Sequence, residues 1–264
     1  MKTINVNFEV QKILHLKRIT IPILWLLVIV TIGFSLSCQS NDEEIVVFAA
    51  ASLTDVLNDV KKRYELEHTA TIQYNFGGSQ ALAIELSKGS PGDVFISAGN
   101  PPMKFLTEKS DIEISGTSVI AYNSLVVVTK SHDIKLPSYP SLSDLNLVAI
   151  ADPNLAPAGF YSQQFLMNTE LWMDLQDKLV FAADVRAALN YVKSGNVDAA
   201  IVYMTDGMTE PDLHIKEIVP TDSYSKISYP IVVLRNKNTD LSNDFVEFLL
   251  SSEVEQLLHS YGFR

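Results

Sequence analysis

Cysteine is nearly absent from this chain: of 264 residues, Cys38 is the single one. An internal disulfide is therefore excluded, and so is a cysteine-built metal site. Histidine offers no cluster either. His15, His68, His132, His214 and His259 are scattered, and none stands in a glycine-flanked motif. Positive charge is scarce, with 20 Lys and Arg against 31 Asp and Glu. The Gly-x-Ser-x-Gly elbow of serine hydrolases does not occur, nor does the Gly-x-Gly-x-x-Gly of dinucleotide sites. No lysine follows Gly77-Gly78-Ser79, as a nucleotide-phosphate loop would need. A low-complexity linker and an internal repeat are also missing, so any division into domains must use short crossing segments as hinges.

The first 37 residues differ in composition from the rest. Lys12, Lys17 and Arg18 precede an apolar run from Ile19 to Phe34, broken by Thr20, Pro22, Thr31 and Gly33, and Ser35-Leu36-Ser37-Cys38 follows. A basic flank, a short apolar core and small residues predict an export signal over residues 1–37 rather than a membrane-spanning anchor. Cys38 at its end resembles the lipid-modified cysteine of bacterial lipoproteins. The box departs from that family's pattern, because Ser35 stands where a large aliphatic is usual and Leu36 lies one residue later. Cleavage nearby without lipid is the alternative. Residues 38–43 then form a tether, part of the polar stretch Asn41-Asp42-Glu43-Glu44. Without residues 1–37 the chain holds 16 basic and 30 acidic residues, a formal charge of −14. Such a surface disfavours nucleic acid and anionic lipid, and any anion must be held by local dipoles.

Strand-like apolar runs alternate with helical spacing along the rest of the chain. Strands are predicted at Ile45–Ala50, Thr71–Phe76, Asp93–Ala98, Leu147–Ala151, Val197–Tyr203 and Ile227–Leu234, and Ser118–Thr129 is one apolar, β-branched stretch. Helices are predicted at Leu53–Glu67, Gln80–Lys88, from about Phe160 to Met167, and over Val185–Lys193, where Gly195 closes the last. A long amphipathic pattern runs from Leu241 to Tyr261. The alternation implies α/β architecture with crossover helices. The segments Ala121-Tyr122-Asn123 and Asp222-Ser223-Tyr224 are the candidate hinges.

Two of the strand-to-helix junctions carry chemistry. Val46 to Asp55 and Phe76-Gly77-Gly78-Ser79 each halt at small residues, present a serine and turn to helical spacing. A helix N-terminus offers unpaired N–H groups, and a serine there adds a hydroxyl donor, which together suit a small oxyanion. Asp152-Pro153-Asn154-Leu155-Ala156-Pro157-Ala158-Gly159 and Ala182-Ala183-Asp184-Val185 open two further helices, with Asp184 as an N-cap. Tyr203, ending an apolar strand, can project a hydroxyl into a cleft. Asp93 and Asp198 stand at strand starts and read as turn-capping carboxylates. Trp172-Met173, Tyr161 and Phe165 read as helix packing.

Seven segments in order resemble the molybdate-binding proteins of bacterial ABC importers. They are Ala49-Ala50-Ala51-Ser52-Leu53-Thr54, Gly92 to Ala98, Asn123 to Val128, Asp152 to Gly159, Asp184 to Leu189, Ile201-Val202-Tyr203 and Tyr261-Gly262-Phe263. The resemblance implies a two-lobed periplasmic-binding-protein fold of type II-like α/β architecture, hinged between two mixed-sheet domains. It places residues 44–121 with 223–264 in one lobe and 122–222 in the other. It also implies that Ser52, Ser79, Ala158, Val185 and Tyr203 hold molybdate through its oxygens, with no further cofactor. Membrane permease and ATPase subunits are the implied partners of an envelope-located, lipid-tethered monomer. Tungstate, nearly identical in size and charge, is not separable from molybdate. Sulfate, thiosulfate, phosphate or a small organic acid remain alternative ligands, although an organic acid would call for an arginine fork that the five positions lack. A hydrolase with Ser52 as nucleophile and His68 or His132 as base is the alternative of a different class.

Overall fold

The computed structural model describes residues 43–109, 112–234 and 239–264. The export segment, Cys38 and the first five tether residues lie outside these. Glu43–Arg264 form one unit built on two five-stranded sheets.

In the first sheet, β1 (Glu44–Ala50) lies between β2 (Thr71–Gly77) and β3 (Val94–Ile96), parallel to both. It opens at Glu44, so the last of the four polar residues 41–44 already belongs to the sheet. β10 (Ile227–Leu234) runs antiparallel beside β3, and β4 (Ile114–Asn123) pairs with its other edge. The second sheet repeats this plan. β6 (Val148–Ala151) lies parallel between β7 (Leu179–Ala182) and β8 (Ala199–Tyr203). β5 (Leu125–Thr129) runs antiparallel beside β8 and carries β9 (His214–Ile218) on its far side. The sheets are thus mixed: three parallel strands, an antiparallel return and an edge strand.

Helices cover the faces, which is why β5, β8 and β10 are buried at every position and read as unbroken apolar runs. Pro230 sits inside β10, where its missing N–H coincides with a register shift between Ser228 and Pro230 against β4. The helices are α1 (Thr54–Glu67), α2 (Ser79–Ser87), α3 (Asn100–Lys109), α4 (Pro157–Asn168), the short α5 (Trp172–Leu175), α6 (Val185–Ser194), α7 (Met204–Met208), α8 (Thr239–Leu249) and α9 (Ser252–Ser260). Gly195, in the left-handed conformation, ends α6 as its sequence suggested.

Three local readings change. The stretch Ser118–Thr129 is two strands, and Ser124 between them carries the chain from one sheet to the other. Its amide turns to the Asn123 side chain and its carbonyl accepts the Met204 amide, but a single serine is too weak a break to see in sequence. The amphipathic pattern from Leu241 to Tyr261 is two helices, because Ser251 turns the chain and accepts from the Val254 amide as a new N-cap. Helix α4 starts three residues early: Pro157 takes the first position, where no N–H is needed. The elements α3, β7 and β9, polar or short, gave no clear periodicity.

The second crossing between sheets lies between Ile218 and Ile227, and the two crossings touch. Tyr224 Oη accepts the Leu125 amide at 3.0 Å. Asp93 and Asp198 have the structural roles expected. Asp93 is buried and accepts the Val46 amide at 2.7 Å, and Asp198 accepts the amides of Asn146 and Leu147. Phe165 and Tyr161 are buried in the core, while Trp172 packs against it.

Candidate functional site

Four strand-to-helix junctions point at one cavity between the sheets. It is lined by Ala50, Ala51 and Ser52 after β1, by Gly77, Gly78 and Ser79 before α2, by Ala156, Pro157 and Ala158 at the start of α4, and by Asp184 and Val185 at the start of α6. Ala98 and Tyr203 complete it. All five residues singled out in the sequence are therefore brought together, although 151 positions separate Ser52 from Tyr203. The cavity encloses about 190 Å³, part of it open to solvent. That space suits one compact group and excludes an extended substrate.

The local reasons differ by junction. A 3-10 turn, Ala51–Leu53, joins β1 to α1 and buries Ser52. Ser79 is the first residue of α2, Ala158 the second of α4 and Val185 the first of α6, so the backbone N–H of each is one that its own helix cannot pair. Asp184 caps α6 by accepting the Ala187 amide at 2.9 Å. Two glycines permit the approach. A Cβ on Gly159 would stand 2.1 Å from the Ala151 carbonyl oxygen, so only glycine lets the first turn of α4 press on β6. A Cβ on Gly78 would meet the carbonyl oxygens of Leu155 and Ala183 at 2.6 and 2.9 Å. Backbone thus meets backbone across the cavity, and the Ala81 amide donates to the Leu155 carbonyl at 3.0 Å.

No lysine, arginine or histidine lines the cavity. Positive potential comes from the converging helix N-termini, each equivalent to roughly half an elementary charge. Tyr203 is 1% exposed, and among the described residues its hydroxyl has no hydrogen-bond partner. Burial raises its pKa well above that of a free phenol, so it remains a neutral donor. Ser52 Oγ lies 2.9 Å from Tyr229 Oη, and Ser79 Oγ accepts the Ala98 amide at 3.1 Å. Ser52 has no histidine partner: His68 stacks on Tyr64, and His132 packs edge-on against His214. Among the described residues no group of three His, Cys, Asp or Glu side chains could hold a bare metal ion.

Beside the cavity, an ion-pair cluster went unnoticed in the sequence because its members lie far apart. Arg186 on α6 reaches Asp55 on α1 and Asp206 on α7. Its Nε lies 2.7 Å from Asp206 Oδ1 but off the N–H axis, so this contact is ionic without a hydrogen bond. Burial opposes the charge on Arg186, yet the two carboxylates outweigh it and raise its pKa.

Two sheets joined by two crossings, with a small donor-lined cavity between them, define a two-lobed periplasmic-binding-protein fold. The chain belongs to the bacterial extracellular solute-binding protein family, whose pattern matches residues 45–264. It is 35% identical over 238 residues to the candidate ABC transporter substrate-binding lipoprotein YvgL of Bacillus subtilis, covering 88% of this chain and 92% of that one. The molybdate-binding protein ModA of Haemophilus influenzae is 32% identical over 245 residues, covering 90% and 95%. Among solved structures, the substrate-binding domain of a candidate molybdenum ABC transporter from Clostridium difficile shares 32% identity with a TM-score of 0.64, covering 84% and 98%. The sulfate-binding protein SubI of Mycobacterium tuberculosis shares the fold at 13% identity and a TM-score of 0.66, covering 84% and 86%.

The buried cluster gives the site a pH signature. Burial pushes the Asp206 carboxyl up to about 6, against the pull of Arg186 and of the Tyr203 backbone amide. A carboxyl whose folded pKa exceeds its unfolded one keeps its proton longer in the folded state. Its ionisation therefore removes stability as the pH rises from about 4 to about 6, and the loss is complete above that. Asp206→Asn, which cannot ionise, should gain stability relative to the parent across that window. Urea midpoints of the ligand-free proteins at pH 4, 5, 6 and 7 measure it, and a difference independent of pH would contradict the assignment.

Proposed function

We propose that this protein is the solute-binding component of an ABC importer and that it captures molybdate, with tungstate as an equivalent ligand, in the cavity at Ser52, Ser79, Ala158, Val185 and Tyr203. The observation that carries the reading is the buried, unpartnered Tyr203 hydroxyl in a cavity rich in donors. A buried hydroxyl left alone is costly, and a ligand oxygen relieves it. Molybdate is a tetrahedral dianion whose four oxygens only accept hydrogen bonds. Two serine hydroxyls, a tyrosine hydroxyl and the amides of Ala158 and Val185 offer the matching donors.

The magnitudes suffice. Each hydrogen bond to a charged oxygen contributes on the order of 1.5–3 kcal/mol, and each helix N-terminus about 0.3–1 kcal/mol. Five donors exceed the roughly 8 kcal/mol of micromolar binding after the cost of ordering. The ligand keeps its own oxygens, so the metal is held through them and no catalytic group is required. Hydrogen phosphate would bring a proton, and the five donor positions include no carboxylate to take it; the Asp184 carboxylate at the rim is engaged by the Ala187 amide. Sulfate, the second reading, is favoured by the shared fold of a sulfate-binding protein and is disfavoured only by its smaller size.

Closure of the two lobes on the anion would use the crossings at Ser124 and between Ile218 and Ile227, so the lobe boundary expected at residues 121 and 122 falls instead after Asn123, where β4 leaves the first sheet. Membrane permease and ATPase partners follow from this role. So does a lipid on Cys38 that keeps the domain at the membrane. Mass spectrometry of the natively expressed protein should find an acylated Cys38 as the first residue, and an unmodified N-terminus elsewhere would refute the anchor.

Calorimetric titration against molybdate, tungstate, sulfate and phosphate tests the ligand. Molybdate and tungstate should bind alike, and sulfate and phosphate at least about tenfold more weakly. Tyr203→Phe should weaken molybdate about 5- to 150-fold without lowering ligand-free stability, because it deletes an unsatisfied buried hydroxyl. Val185→Ala keeps its N–H and should change little. Sulfate binding as tight as molybdate, or an unaffected Tyr203→Phe, would contradict the reading.

A further inference from the structure

Behind Ser52 lies a chain of hydrogen bonds whose direction is fixed at its far end. Asn123, the last residue of β4, accepts the Ser124 amide through Oδ1 at 2.9 Å. A backbone N–H can only donate, so that side of the amide must be the oxygen. The Asn123 Nδ2 group then donates to Thr205 Oγ1 at 2.9 Å and to Tyr229 Oη at 3.1 Å. Tyr229, in β10, is fully buried, and its remaining hydrogen-bond partner is Ser52 Oγ at 2.9 Å. Nδ2 has no lone pair to accept the Tyr229 proton, so that proton is directed at Ser52. Ser52 in turn accepts it on one lone pair, so its own proton is not spent on Tyr229 and stays free for the cavity that Ser52 lines.

Ser79 reaches the same polarity by a shorter route, because its Oγ accepts the Ala98 amide. Both serines thus accept from behind and keep a proton free for the cavity before any ligand arrives. We propose that Asn123 and Tyr229 are positioning residues that lock the Ser52 hydroxyl as a donor, and so make the site select fully deprotonated oxyanions over protonated ones. The inference rests on the oxyanion reading above. Without the lock, Ser52 can rotate and offer a lone pair, which a hydrogen phosphate proton could use. Pre-orientation also spares the ligand the task of ordering that hydroxyl.

Neither residue touches the cavity, so ligand contacts alone would not single them out. Tyr229→Phe removes the relay and keeps the ring, which packs edge-on against Tyr203 and Phe263. Asn123→Asp inverts the relay: it still accepts the Ser124 amide, but it also accepts from Tyr229, which then accepts from Ser52. The test is a double-mutant cycle in the full-length protein, titrating parent, Ser52→Ala, Tyr229→Phe, Asn123→Asp and each pair with Ser52→Ala against molybdate and inorganic phosphate, with ligand-free melting as a check on folding.

The relay predicts that Tyr229→Phe weakens molybdate at least about fivefold, a loss of one well-placed hydrogen bond. It should also lower the molybdate-to-phosphate ratio of affinities. In the Ser52→Ala background the same substitution should have almost no further effect. Asn123→Asp should lower that ratio too and carries the test alone if Tyr229→Phe does not fold. Its added charge persists when Ser52 is absent, whereas its polarity effect does not. If Ser52→Ala weakens binding but the Tyr229→Phe effect is absent or simply adds to it, the relay is wrong and the binding site stands. If Ser52→Ala binds molybdate as the parent does, the site itself is misassigned and the relay falls with it.

Discussion

A cavity lined by helix N-termini, with no cationic side chain among its described lining residues, depends for any anion affinity on backbone placed to within a fraction of an ångström. Helix N-termini supply the positive potential, and it fades within the first turn. Every other feature of the fold serves that convergence. The parallel trios β2-β1-β3 and β7-β6-β8 make helices begin at the same sheet ends, and the two sheets present those ends to each other. Gly159 lets α4 sit against β6, and Gly78 lets α2 meet the backbone at Leu155 and Ala183. The acidic net charge makes this economy necessary on the proposed reading, since its long-range field would repel an anionic ligand.

Donor groups at such a site are useful only if their protons face the ligand. Backbone amides have no choice, which makes Ala158 and Val185 reliable at positions where the side chain is irrelevant. Hydroxyls do have a choice, and it is narrowed for Ser79 by the Ala98 amide and, on the relay proposed above, for Ser52 by Tyr229 and Asn123. Tyr203, which also lines the cavity, retains its freedom, its hydroxyl having no partner among the described residues. The Asn123 amide spans both sheets, bonding Tyr229 of β10 and Thr205 of α7 at the point where the chain crosses. Donor polarity and the joint between the sheets are therefore one piece of structure.

The site was legible in sequence to the extent that it is local. A strand, a small-residue turn, a serine and a helix follow one another within ten residues at Ser52, and the pattern repeats at Ser79. Asp184 announced its cap in the same way. What stayed hidden is long-range. Tyr229 lies in an apolar strand whose buried pattern says nothing of a hydroxyl partner 177 residues away. The ion-pair cluster of Asp55, Arg186 and Asp206 is likewise assembled from three helices. The crossing at Ser124 was obscured because the apolar Val119-Ile120-Ala121 of β4 and Leu125–Val128 of β5 read as one stretch while belonging to different sheets. Helix α4 was read short, since Pro157-Ala158-Gly159 looks like a turn until Pro157 is seen at a position that requires no N–H.

The central claim is that the ligand is held intact, through its own oxygens, by donors alone. X-ray absorption at the molybdenum edge of the protein loaded with one equivalent of molybdate examines this directly. The account predicts the spectrum of free tetrahedral molybdate, with four short oxygens and no protein atom in the first coordination sphere. A five- or six-coordinate metal, with a serine, tyrosine or carboxylate oxygen bound to it, would contradict it.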